Sequence, residues 1–167
     1  MRRRLIIPLA ALKQGENHFR YELTPGDLGL DRREVSENPS FEELADPVRV
    51  ELDVVRTGSK VLVNGSVEFR ARLSCALCGE TYETDFREPL FAEFISGSPD
   101  DDLTAGDGDR RDRQPDDRIE VISLVHDAIH LAVPIAPCCQ PDCRGVCLVC
   151  GGNLNLGACT CRPGRAG

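Results

Sequence analysis

The chain has no tryptophan, one methionine and three histidines, and its only aromatics are six phenylalanines and two tyrosines. That scarcity argues against a broad platform for stacking nucleic-acid bases. No stretch approaches the roughly 18 or more apolar residues of a membrane-spanning helix. There is no Ser/His/Asp arrangement, phosphate loop or nucleotide-binding glycine pattern. Outside one acidic stretch, no titratable residues are spaced to pair a general acid with a base. The start, Met1 to Lys13, opens with three arginines before an apolar run that Pro8 breaks and Lys13 closes. It reads as mature protein rather than as a secretion signal.

The net charge of −8 argues against a wholly basic nucleic-acid binder, but the acidity is concentrated. Residues 97–117 hold eight aspartates (Asp100, Asp101, Asp102, Asp107, Asp109, Asp112, Asp116 and Asp117) against three arginines, which is five of those net charges. This segment has almost nothing to bury and reads as a solvated, flexible linker. Its aspartates lack the spacing and the closing glutamate of an EF-hand loop. At 167 residues the chain divides into a β-rich domain (1–96), the acidic linker (97–117) and a helix with a cysteine cluster (118–167).

Cysteine is what the chain has in excess. Eight of the nine fall into close pairs: Cys75/Cys78, Cys139/Cys143, Cys147/Cys150 and Cys159/Cys161, with Cys138 left over. Two pairs run straight into glycine, as Cys78-Gly79 and Cys150-Gly151. A Cys-x2-Cys-Gly turn aims two thiolates at one point, and the glycine accepts a positive φ that bulkier residues resist. Two such pairs make a closed four-sulfur shell, the preferred setting of structural zinc. Eight paired thiols therefore predict two zinc ions. A four-cysteine iron–sulfur cluster is the main alternative metal. A disulfide framework belongs to small secreted domains. Cys143-x3-Cys147-x2-Cys150 also matches radical-SAM spacing, but only 17 residues follow Cys150, too few for the barrel those enzymes need.

Four pairs can be joined into two sites in three ways. Only eight residues separate Cys150 from Cys159, including Gly151, Gly152 and Gly157, the length of a tight hairpin. Cys147, Cys150, Cys159 and Cys161 are thus expected to close a local zinc ribbon, so that losing Cys159 would fray only the tail. Cys75, Cys78, Cys139 and Cys143 would hold the other ion and fasten the tail to the sheet.

Alternation with period two predicts strands at His18–Leu23, Val48–Val54, Val61–Leu73 and Tyr82–Ile95, with a turn at Gly58-Ser59 and Arg70 and Arg72 on one outer face. A helix is expected over Ile119–Val133, its apolar stripe formed by Leu124, Val125, Ala128, Leu131 and Ala132, with Pro134 ending it. His126 and His130 stand at i and i+4 in a His-Asp-x-x-His sequence akin to a metalloprotease motif. Aspartate replaces the general-base glutamate and no third ligand is apparent, so these read as ordinary exposed histidines. The fold class is α+β: a small antiparallel β-sheet or partial barrel, one amphipathic helix, and a zinc-ribbon-like C-terminal cysteine cluster.

The run Leu131-Ala132-Val133-Pro134, then Cys139-Gln140-Pro141-Asp142-Cys143-Arg144-Gly145-Val146-Cys147-Leu148-Val149-Cys150-Gly151-Gly152-Asn153-Leu154-Asn155, then Cys159-Thr160-Cys161, resembles the C-terminal signature of the YceD family of large ribosomal RNA subunit accumulation proteins. Leu73-Ser74-Cys75-Ala76-Leu77-Cys78 is similar to that family's internal cysteine motif. The chain departs at Leu148, where proline is usual, and at Ala76-Leu77, where a polar–arginine pair is commoner. The resemblance implies a non-enzymatic, cytoplasmic factor in large-subunit (23S) rRNA accumulation and ribosome assembly. Its partner would be rRNA, a large-subunit ribosomal protein or an assembly intermediate, with no membrane and no small-molecule substrate. A zinc-ribbon regulator that binds nucleic acid is the alternative, and a metal-dependent hydrolase the third class. Arg2-Arg3-Arg4, Arg70/Arg72 and Arg144 are the cations that could meet phosphate.

Overall fold

Residues 41–95 alternate apolar and polar side chains through most of their length, and that pattern builds the largest element of the fold. In this computed structural model, which describes residues 5–30, 40–95, 118–157 and 159–161, β2 (Gly15–Leu23), β3 (Phe41–Thr57), β4 (Lys60–Ser74) and β5 (Thr81–Ile95) form one four-stranded antiparallel sheet in the order β2-β3-β4-β5. The expected linker 97–117 and Arg2-Arg3-Arg4 lie outside the described residues. Thr57 pairs with Lys60, so Gly58-Ser59 is a two-residue turn, and Gly58 takes the positive φ of 61° that such a turn requires.

One face of the sheet is dry. Val48, Val50, Leu52 and Val54 on β3 alternate inward, as do Val61, Val63, Val67, Phe69, Ala71 and Leu73 on β4. Burying each such side chain contributes roughly 1.5–3 kcal/mol, less the ordering entropy. The other face is charged, and its charges are matched across the register. Arg20 lies opposite Glu51, Arg49 opposite Glu22, Arg70 opposite Asp85 and Arg87 opposite Glu68, each pair in contact. Exposed pairs of this kind contribute only about 0.2–1 kcal/mol each, but a register slipped by one residue would lose all of them and invert the core face. Arg70 and Arg72 share the outer face as expected, and both guanidinium groups are occupied, by Asp85 and Glu43.

Pairing between β3 and β4 shifts register twice, first between Phe41 and Glu43. Pairing jumps from Ala45↔Arg70 to Arg49↔Glu68, a bulge that places Pro47 where no ladder N–H is needed. Gly65 faces β3 so closely that a Cβ there would stand 2.1 Å from the Glu51 carbonyl oxygen.

The dry face is covered from both ends of the chain. β1 (Ile6–Pro8) pairs with β6 (Arg118–Glu120), placing Ile7 opposite Ile119. Leu9 and Leu12 flank a 3₁₀ turn, Leu28 comes from α1 (Pro25–Leu28), and Val125 and Ile129 come from α2 (Ile122–Ala132). All join one core cluster with the sheet, and α2 packs on β5 and β4.

The helix differs from expectation in three respects. It begins at Ile122 rather than Ile119, because residues 118–120 are spent pairing with β1 and the Val121 N–H donates to the Leu5 carbonyl at 2.8 Å. Its fully buried line is Val121, Val125 and Ile129, whereas Leu131 is 85% exposed. At about 100° per residue, Leu131 points some 200° away from Ile129, off the sheet. His126 is half-buried rather than exposed: its ring Nε2 donates to the Leu28 carbonyl and ties α2 to α1.

Candidate metal centres

Both Cys-x2-Cys-Gly turns fold the same way. In the turn between β4 and β5, the Gly79 N–H donates to the Cys75 carbonyl at 2.9 Å and the Cys75 N–H donates to Glu80 O at 2.9 Å. In the tail, the Gly151 N–H donates to the Cys147 carbonyl and the Cys147 N–H to Gly152 O, both at 2.8 Å. Gly79 and Gly151 carry φ of 74° and 70°, the left-handed conformation that closes each loop. The chain thus builds one knuckle twice, and in each the backbone N–H groups of the loop point at the first thiol. Val149 N, for example, lies 3.4 Å from Cys147 Sγ.

The structure gathers the eight paired cysteines into two quartets: Cys75, Cys78, Cys139 and Cys143, and Cys147, Cys150, Cys159 and Cys161. Within each quartet all sulfurs lie within 4.8 Å of one another. Cys75 Sγ is 3.7 Å from Cys143 Sγ, and Cys78 Sγ is 3.7 Å from Cys139 Sγ. These are not disulfides, whose sulfurs stand about 2.05 Å apart. Four sulfurs each about 2.3 Å from one central ion at tetrahedral angles would be about 3.8 Å apart. Each quartet could therefore hold a metal ion. Cys138 stays outside both, exposed, with its thiol turned to the Ala136 carbonyl. His126 and His130 join no such group among the described residues.

Burial separates the quartets. Cys75 and Cys78 are 2% and 7% exposed, whereas Cys150 is open to solvent. The first quartet joins the tip of the β4–β5 hairpin to the chain beyond α2, across 60 intervening residues between Cys78 and Cys139. Main-chain contacts reinforce that junction. Ala76 N donates to Pro137 O at 2.7 Å, and Gly145, with φ of 69°, lies so close to Leu77 that a Cβ would meet its carbonyl oxygen at 3.1 Å.

Electrostatics within each quartet is lopsided. Burial pushes the Cys75 thiol up, but the backbone N–H groups of Cys139, Cys78 and Leu77 outweigh it and bring the thiol down to about 6. Cys147 is likewise brought down to about 6, by the N–H groups of Cys150 and Val149. Burial and then the neighbouring thiols push Cys139 up to about 12. The Cys150 side chain and then burial do the same to Cys161. Each quartet thus sets a lowered thiol, Cys75 or Cys147, beside a raised one, Cys139 or Cys161, a conflict over which sulfurs ionise. A divalent cation removes that conflict by neutralising all four sulfurs together.

The second quartet is not simply a local ribbon. Leu154 N donates to Gly145 O at 2.9 Å, Asn153 Nδ2 reaches Glu80 Oε1 at 3.3 Å, and Asn155 Nδ2 lies 3.3 Å from Cys143 Sγ of the first quartet. Reading the sequence left Asn153 and Asn155 without a role beyond a family pattern. The available signal was the Asn-Leu-Asn run after Cys150-Gly151-Gly152, a turn-forming sequence that here closes with the Leu156 N–H donating to the Asn153 carbonyl at 3.2 Å.

Comparison with known proteins gives a consistent result. The family described as "Large ribosomal RNA subunit accumulation protein YceD" matches over residues 63–166. The protein named "Large ribosomal RNA subunit accumulation protein YCED homolog 1, chloroplastic" in Zea mays is 32% identical over 149 residues, covering 70% of this chain and 49% of its own length. Its namesake in Arabidopsis thaliana is 30% identical over 140 residues, covering 69% and 44%. A Mycobacterium tuberculosis protein named only as uncharacterized is 30% identical over 102 residues, covering 61% and 49%. The chain spans about half the length of the curated relatives it matches. No solved structure matches.

Proposed function

The chain belongs to the YceD family, and from that membership we propose that it is a non-enzymatic, zinc-stapled factor in the accumulation of large-subunit ribosomal RNA. The observation that carries the zinc part is the spacing of the first quartet, 3.7 Å on two edges, which suits a single tetrahedral ion. An iron–sulfur cluster interposes several atoms between its cysteine sulfurs and needs them further apart. Zinc in both quartets would use all eight thiolates, leaving no open position for a catalytic water. The ions would then serve folding, with the β-rich part (1–96) and the cysteine-rich part (118–167) held together across the acidic segment 97–117.

The partner is an rRNA, a large-subunit ribosomal protein or an assembly intermediate, met in the cytoplasm. No described helix is long and apolar enough to cross a membrane. The plant relatives are named as chloroplastic.

Two measurements test this reading together. Metal analysis of the purified, fully reduced protein is expected to give two zinc ions per chain and no visible iron–sulfur absorbance. In a strain lacking the gene, large-subunit rRNA is expected to fall relative to small-subunit rRNA. The unsubstituted gene should restore it, and a Cys75→Ser/Cys147→Ser version should not. A brown, iron-containing protein would overturn the zinc assignment, and normal subunit ratios in the deletion strain would overturn the ribosomal one.

A further inference from the structure

The Asn155 side chain reaches from the loop between Cys150 and Cys159 to the first quartet. Its Nδ2 donates to Cys143 Sγ at 3.3 Å, while its Oδ1 accepts the Arg144 N–H at 2.8 Å and faces Gln140 Nε2 at 3.4 Å. The Arg144 contact settles the amide's orientation, because a backbone N–H demands the oxygen and turns the NH₂ to the sulfur. Asn155 is held in turn by Asn153, whose Oδ1 accepts the Asn155 N–H at 2.9 Å and whose Nδ2 reaches Glu80 on the β4–β5 turn. Cys143, which receives the bond, belongs to the first quartet. Asn155 belongs to the loop between Cys150 and Cys159, whose two ends meet in the second quartet.

From this geometry, and resting on the metal reading above, we propose that Asn155 couples the two metal centres: closure of the Cys147/Cys150/Cys159/Cys161 centre presents its amide to Cys143 and thereby tightens metal binding at the Cys75/Cys78/Cys139/Cys143 centre. The physical cause is ordinary. An N–H bond to a metal-bound thiolate draws off some of its charge and fixes its direction, and outer partners of this kind change metal affinity by about 10–100-fold. With the second centre empty, the loop keeps its ties from Leu154 to Gly145 and from Asn153 to Glu80 but loses the closure at Cys159 and Cys161, so holding the amide at the sulfur costs more ordering entropy. Linkage then makes the effect reciprocal: whatever the second ion adds to the first, the first adds to the second.

The experiment is a zinc titration against a chromophoric chelator, with far-UV circular dichroism to check that each variant keeps its sheet. The unsubstituted chain, Asn155→Ala, Asn155→Asp, Cys150→Ser and Cys150→Ser/Asn155→Ala are compared, and Cys75→Ser identifies which phase belongs to the first centre. Asn155→Ala is expected to keep two ions but hold the first-centre ion about 10–100-fold more weakly. Asn155→Asp, which keeps the oxygen for Arg144 but loses the donor, should weaken it at least as much; it also reads the effect should the alanine variant fail to fold. Cys150→Ser should lose one ion and weaken the other by a similar factor, and adding Asn155→Ala should change little more. First-centre affinity within twofold of the unsubstituted chain in Asn155→Asp would overturn the proposal. So would a full further loss on adding Asn155→Ala to Cys150→Ser, since Asn155 would then act without the second centre. An unsubstituted chain that takes up no zinc overturns the metal reading itself, whereas two tightly held ions indifferent to Asn155 overturn only the coupling.

Discussion

The backbone N–H of Ala76 donates to the carbonyl of Pro137 across 2.7 Å, so the hairpin tip and the tail are joined by main chain immediately beside the sulfurs that face each other there. With Gly145 set against Leu77 at the same tip, the junction has three independent components: sulfur, backbone hydrogen bond and close backbone packing.

Three glycines near the sulfurs should respond differently to alanine. Gly79 and Gly151 have positive φ with nothing within 4 Å of an added Cβ, so only backbone strain opposes the change. Each substitution should cost about 1–2 kcal/mol, the penalty of a left-handed non-glycine residue. Gly145 combines the same conformation with the Leu77 oxygen at 3.1 Å, and Gly145→Ala should cost more than either. Thermal melts of the metal-loaded protein rank the three; equal shifts would show that Leu77 yields freely.

Metal removal should act on one part of the chain. The sheet's core consists of apolar residues contributed without any cysteine, while among the described residues beyond Val133 only Pro137, Gly145 and Cys147 are buried. A chelator is therefore expected to expose 134–161 to protease and leave the β-sheet signal in place. Acid should do the same, since protons compete with metal for thiolates and affinity falls with pH. Simultaneous loss of the sheet would show that the metals support the whole fold.

Gly65→Ala tests the close approach of β3 and β4. The added methyl would lie 2.1 Å from the Glu51 carbonyl oxygen, which is backbone and cannot swing aside. Destabilisation of about 1–3 kcal/mol or more is expected in urea melts, with both metal ions retained.

Asp85 supplies a pH signature on the outer face. The Arg70 guanidinium, through its hydrogen bond and its charge, holds the Asp85 carboxyl below the ordinary 3.8. A folded pKa below the unfolded one means that the pair's contribution is present above the ordinary carboxylate value and is lost as pH falls through the depressed one. Arg70→Gln should raise the Asp85 pKa toward the ordinary value in a carboxyl NMR titration. An unchanged titration would mean that solvent screens the pair completely.

Much of the sheet was legible because its rule is local: period-two alternation and the Gly58-Ser59 turn specify strands and partners without reference to anything distant. The paired cysteines were legible for a similar reason, since Cys-x2-Cys-Gly encodes its own turn. Residues 119–121 read as helix from the sequence because apolar Ile119 and Val121 suit the start of a helix as well as a strand. Only pairing with β1, more than a hundred residues earlier in the chain, decides between them. Leu131 was misassigned for the same kind of reason: a short apolar helix offers more than one stripe, and the sheet selects the one through Val125 and Ile129.

Sequence alone determined the two knuckles, the alternation that makes one sheet face dry, and the short loop that lets Cys147, Cys150, Cys159 and Cys161 close on themselves, because each is a matter of neighbours within fifteen residues. Tertiary structure alone decided that Cys139 and Cys143 stand 3.7 Å from Cys78 and Cys75, and that Asn155 reaches Cys143. Those meetings depend on α2 lying along β5 and β4 and carrying the tail to the hairpin tip. That placement comes from burial of Val125 and Ile129 against the sheet, a non-directional force whose outcome no local pattern records.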